Sequence, residues 1–126
     1  MTTDVVQELQ GLAVLVCAPD GPVVRDDRDA VDLIGAALGQ GAELVLLPVS
    51  RLTDEFFTLS TGVAGAILQK FVNYRLRLAV IGDISEHLDR SSALRDLVAE
   101  TNRGRQLWLL ATRDELEQRL ARATAG

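Results

Sequence analysis

Apolar positions along the chain follow two rhythms, short unbroken runs and stripes with helical spacing. The runs are Leu12 to Val16, Leu44 to Leu47, Leu78 to Ile81 and Leu107 to Ala111. Unbroken runs of this length suit parallel strands covered on both faces. Between them lie the stripes Ala30-Val31-Ile34-Ala37-Leu38, Val63-Ala64-Ile67-Leu68-Phe71-Val72, Leu94-Leu97-Val98 and Leu116-Leu120, which predict four helices. Ahead of the first run, Asp4 to Leu9 alternates weakly, and Gln10-Gly11 offers a two-residue turn, so the chain should open with an antiparallel hairpin.

Punctuation supports this division. Pro19-Asp20-Gly21-Pro22 breaks the first run, Asp26 or Asp27 can cap the first helix, and Gly39 and Gly41 end it. Pro48 stops the next strand. Ser50 to Leu59 reads as irregular, and the second helix is expected from about Thr61, with Asn73 in left-handed geometry at its end. Ser91 or Ser92 caps the third helix, and Asn102-Arg103-Gly104-Arg105 reads as a Schellman-type stop with basic residues favouring the helix end. Thr112 and Glu115 have the spacing of a capping box for the last helix. The order is ββαβαβαβα: an α/β domain over residues 1–126, with a mixed, mainly parallel sheet packed with helices. No linker, repeat or low-complexity tract divides it.

Composition narrows the function. The chain has 126 residues, 48% hydrophobic and 25% charged, with a formal net charge of -5, which suits one folded domain. Its basic residues are scattered along the sequence with no stripe for a phosphate backbone, which counts against nucleic acid as a partner. One cysteine, Cys17, cannot form an internal disulfide and sits in an apolar run, so a buried, inert thiol is expected. The opening Thr2-Thr3-Asp4 carries no signal segment, and no run approaches the ~20 residues of a membrane span. A cytoplasmic protein that neither enters nor binds a membrane is expected.

The candidate chemistry lies where strands end. Arg51, Asp83 and Arg113 each follow a strand's C-terminal end, and with Ser50 and Thr61 they are expected to share one polar rim. Phe56 and Phe57, two of only three phenylalanines, fall in the expected loop and would line a pocket or cover the core. Ser60-Thr61-Gly62 stands at a helix start, where free amides attract an anion, although a simple N-cap has the same residues. His87, in Ser85-Glu86-His87-Leu88-Asp89, is the only histidine. It lacks the company a zinc site needs, and a pairing with serine would depend on geometry. Tyr74 and Trp108 are expected to be packing residues. Gly35, Gly39 and Gly41 do not form a dinucleotide fingerprint, and no phosphate-loop motif occurs, so no metal and no cofactor is implied.

From Phe56 the chain reads FFTLSTGVAGAILQKFVNYRLRLAVIGDIS, and later ETNRGRQLWLL. This resembles the domain-of-unknown-function family DUF4180, whose pattern is FF-x-L-x-TG-x-AGEILQKF-x-NYR, a strand ending in GD, then ESN-x-G. Ala66 stands where that family commonly has Glu, and Thr101 where Ser is usual. The family carries no assigned activity. The order of elements is more distantly similar to STAS domains, the fold of bacterial anti-sigma factor antagonists. Those carry D-S-S-G-L-G-x-L-L at the second helix, with a kinase phosphorylating the second Ser. Leu59-Ser60-Thr61-Gly62-Val63-Ala64-Gly65-Ala66-Ile67-Leu68 corresponds, with Leu59 in place of the Asp, and the resemblance implies Thr61 as the phosphorylated position.

Two functions follow as expectations. The favoured one is a non-catalytic STAS-like module engaging a protein partner or small ligand through Arg51, Phe56, Phe57, Ser60, Thr61, Gly62, Asp83 and Arg113. Self-association through a sheet edge or helix face is compatible with its size. The alternative is a small enzyme or ligand-processing domain with a pocket at the strand C-termini, using Asp83 as acid or base with its pKa raised beside aromatics, Arg51 or Arg113 as an anion clamp, and Phe56 and Phe57 as the pocket wall.

Overall fold

The computed structural model describes residues 4–125, so Thr2 and Thr3 lie outside the described residues. Strands β1 (Val5–Leu9) and β2 (Leu12–Val16) form the expected hairpin. Gln10 and Gly11 both take positive φ, 52° and 81°, the backbone that lets a two-residue turn follow the right-handed twist of its strands. β3 (Leu44–Pro48), β4 (Arg77–Ile81) and β5 (Leu107–Leu110) continue from β2 in parallel, and the sheet order is β1-β2-β3-β4-β5. Each crossover therefore ends on the neighbouring strand.

Helices α1 (Asp27–Gly39), α2 (Asp54–Phe57), α3 (Val63–Asn73), α4 (Ser85–Arg90) and α5 (Ser92–Arg103) precede β5, and α6 (Arg113–Ala125) follows it. Alternation along β3 assigns the two faces. Val45 and Leu47 join Ile34, Ile67, Phe71 and Leu94 from α1, α3 and α5 in the larger core. Leu44 and Leu46 join Trp108, Leu116 and Leu120 in the smaller one, beneath α6. Buried on both sides, β3 has no polar face to show, which is why its sequence reads as an unbroken apolar run. The α/β class and the mainly parallel sheet are as expected, and among the described residues no helix is long and apolar enough to cross a membrane.

The caps at Asp26 and Ser91 form, each side chain accepting from the amide three residues on. Of the box on α6, the amide of Glu115 donates to Thr112 Oγ1 at 3.3 Å. Several local expectations are corrected. Residues 50–59 are not irregular: a 3-10 turn (Val49–Arg51), α2 and a second 3-10 turn (Leu59–Thr61) occupy them. α4 was not expected either. One or two turns are too short to develop a hydrophobic period. α3 begins at Val63 behind Gly62 (φ 79°), so Thr61 ends the preceding turn and does not open the helix. Arg75 (φ 56°), not Asn73, takes the left-handed conformation after α3. Gly104 is extended, so α5 does not end in a Schellman motif.

Candidate functional site

The expected rim does not form, because folding sends its three charged residues to different places. Arg51 turns inward beneath the β2–β3 end of the sheet and is only 3% exposed. Its Nη1 donates to Asp4 Oδ1 at 2.9 Å and to the Ala18 carbonyl at 3.1 Å, and its Nε donates to the Pro22 carbonyl. A guanidinium with its donors committed this way ties the start of β1 to the loop after β2, and the anion-clamp reading of Arg51 is corrected accordingly. Burial by itself would raise Asp4. The Arg51 guanidinium, the Ala18 amide and the Cys17 thiol together outweigh that and hold its carboxyl below the usual range. Cys17, beside them, is buried as expected, and burial with the Asp4 charge pushes its thiol up to about 12.

Asp83 stays at the edge where β4 ends, but it is exposed. Its Oδ1 accepts from the amide of Ser85, the first residue of α4, at 2.9 Å. Bonds from Ser85 hold its carboxyl low, opposite to the rise that the enzyme reading expects. A hollow of about 220 Å³ lies behind it, walled by Val49, Val80, Ile84, Leu88, Val98 and Leu109. The phenylalanine pair lines none of it. Arg113, on the α6 side, donates from Nη2 to Gln7 Oε1 at 3.0 Å and has Glu117 at 3.9 Å. The bond to Gln7 holds α6 to β1.

What the fold does bring together is the second half of the candidate set. Phe56 and Phe57 belong to α2, not a loop, and both are buried. Their rings meet edge-on at 5.0 Å. His87, on α4, lies flat against Phe57 with centroids 4.5 Å apart and planes 17° from parallel. Its Nε2 is 4.0 Å from a carboxylate oxygen of Asp54, which stands almost wholly in solvent. Between these elements runs an open cleft of about 610 Å³, walled by Asp54, Phe57 and Ser60 on one side and by Glu86, His87 and Arg90 on the other. Acidic, basic, hydroxyl and aromatic groups all face it.

Thr61 borders the cleft wall and is exposed. Its hydroxyl is in use: its proton is shared between the carbonyls of Glu55 and Thr58, at 2.7 and 2.8 Å, and its oxygen accepts from the Val63 amide at 3.2 Å. These bonds lock the 3-10 turn onto α2 just ahead of α3. The sequence names Ser60, Phe57 and His87 but passes over Asp54, Glu86 and Arg90, whose helices are too short to betray a face. Trp108 is buried, as a packing residue should be, whereas Tyr74 is half exposed. Among the described residues no group of three or more His, Cys, Asp or Glu is placed to hold a metal ion.

The family model for the domain of unknown function DUF4180 matches residues 9–120, and the chain belongs to that family. No curated protein and no solved structure matches it significantly.

Proposed function

For this member of a family without an assigned activity, we propose a non-catalytic binding module that seats a protein partner or small ligand in the cleft between α2 and α4. The observation that carries the reading is the cleft itself. It is roomier than the apolar hollow behind Asp83, and its polar groups stand beside the stacked rings of Phe57 and His87. Such a surface offers anchoring contact and hydrogen-bonding at once. The STAS-like part of the reading draws support from the order of the principal elements, ββαβαβαβα, with the short helices inserted around it.

In this reading Thr61 is the control point. A phosphate there would take the hydroxyl from the Glu55 and Thr58 carbonyls and set two negative charges beside the start of α3. The turn carrying Ser60 would loosen and the cleft wall would move. A phosphate on Thr61 thus acts through a bond already in place.

A photo-crosslinking residue at Ser60 or Arg90 in the full chain, with one at Gln40 as control, tests the seat in native cytosol. Adducts from Ser60 and Arg90 that vanish on His87→Ala support it. Adduct patterns identical to that from Gln40 overturn it. Intact mass measurement of the recovered protein tests the switch: a gain of one phosphate abolished by Thr61→Ala supports it, and an unmodified chain removes that part.

One observation favours a second reading, that of a small-molecule pocket at the ends of β4 and β5. The apolar hollow behind Asp83 would hold a compact apolar group, with the carboxylate at its mouth. Ionised and solvated, Asp83 would select a cation there.

A further inference from the structure

Scattered in sequence, five of the thirteen basic residues meet at the opposite end of the sheet, where β4 and β5 begin. Two adjoining hollows of about 330 and 400 Å³ share Arg105; Arg77 lines the first, and Arg103, Arg119 and Arg122 line the second. Trp108 is the hub. Its Nε1 donates to the Gly104 carbonyl at 2.8 Å, which fixes the ring. The guanidinium carbons of Arg77 and Arg119 stand 5.0 and 5.2 Å from its centroid. Arg77 Nε donates to the Arg105 carbonyl at 2.7 Å and Arg119 Nη1 to the Asn102 carbonyl at 2.8 Å. These bonds aim each fork and leave most of its donors uncommitted.

We propose that this basin binds a small anion carrying two or more phosphate groups. The site is independent of the α2–α4 cleft. In a chain of net charge -5, five like charges in one basin are an arrangement that acids elsewhere do not relieve. Among the described residues the carboxylates that reach them are Glu100, on Arg103 at 3.1 Å, and Glu43, whose charge acts on Arg77. Burial, and then the charge of Arg105, depress the Arg77 pKa, so a bound anion would relieve a repulsion already present. Complementing the C-terminal dipoles of α5 and α6 explains Arg103 and Arg122, but not the convergence of Arg77, Arg105 and Arg119.

Phosphate is the chemistry that fits. A guanidinium presents two parallel N–H groups to two phosphate oxygens, and several forks around one hollow suit several phosphates. Trp108 is only 5% exposed and offers no open face to a nucleobase. Neither hollow exceeds about 400 Å³ and both lie open to solvent, which suits a small, water-soluble anion.

The test uses the full chain and inorganic pyrophosphate as probe, measured by calorimetry and by the shift in melting temperature, against sulfate at matched ionic strength. Saturable binding of pyrophosphate, at least tenfold tighter than sulfate, is expected. Arg105→Gln together with Arg122→Gln, both exposed, should weaken it at least tenfold, while Arg25→Gln should not change it. A pyrophosphate response no larger than that of sulfate, or one that survives the double substitution, overturns the proposal. A comparison of pyrophosphate with a nucleoside diphosphate then separates the two sources: equal affinities identify the phosphates as the whole determinant, and a gain for the nucleotide adds a base contact.

Discussion

The side-chain amide of Asn102 pairs with both main-chain groups of Leu109, donating from Nδ2 to the carbonyl at 3.0 Å and accepting at Oδ1 from the amide at 2.8 Å. β5 is the last strand of the sheet, and this amide supplies what a sixth strand would. An edge so occupied is closed to pairing with another chain at that point. Asn102→Ala should cost about 1–3 kcal/mol, because it leaves two half-buried main-chain groups unpaired. Asn102→Asp keeps the acceptor, loses the donor and sets a charge against the Leu109 carbonyl, so it should not rescue stability. Urea unfolding measures the loss, and light scattering shows whether the freed edge promotes association.

The Arg51–Asp4 pair gives a pH signature. Asp4 has a folded pKa below its ordinary 3.8, so the folded state binds its proton less readily than the unfolded chain. The stability this contributes is complete above the ordinary value and is lost as pH falls through the lower, folded one. Asp4→Asn should destabilise the protein at neutral pH by about 2–3 kcal/mol, below the usual cost of breaking a fully buried pair because Asp4 is partly solvated. The difference in urea midpoint between wild type and Asp4→Asn should narrow as pH falls below 3.8. A gap that stays constant down to the acid limit removes Asp4 as the source.

Gly82 shows a steric requirement at the mouth of the apolar hollow. Its φ is 151°, and a Cβ built there would lie 2.6 Å from Val49 Cγ2. Gly82→Ala should destabilise by about 2–4 kcal/mol, combining overpacking with backbone strain. Val49→Ala in the same chain should recover the packing part and leave the strain. A double-mutant cycle reads the coupling, and strict additivity would show that the two residues do not meet.

Cys17 should be silent in the folded protein. Its pKa of about 12, against an ordinary 9.0, cuts the thiolate fraction at pH 8 by about a thousandfold, and burial bars access besides. A thiol reagent at pH 8 should label it only as fast as the chain unfolds. Rapid native labelling would place the thiol at the surface.

Much of the architecture is legible in the sequence because its signals are local. The two-residue turn at Gln10-Gly11, the unbroken Leu44–Leu47 run, the stripe from Ala64 to Phe71 and the caps at Asp26 and Ser91 each declare themselves within a few residues. The family motif is legible for the same reason, since Phe56 to Arg75 is one stretch. α2 and α4 are not, because one or two helical turns carry too few residues to set a period.

Charge is where sequence reading and folding part. By itself the sequence determined the strands, the main helices, their order and the parallel pairing, through periodicities set by backbone geometry. Only the tertiary structure decided that Arg51 would be spent inside, that Asp83 would stay in solvent, and that His87 would lie on Phe57. It also gathered Arg77, Arg105 and Arg119 around Trp108. A charged side chain acts over several ångströms on whatever crossovers bring near it, and no local spacing records which neighbours those will be.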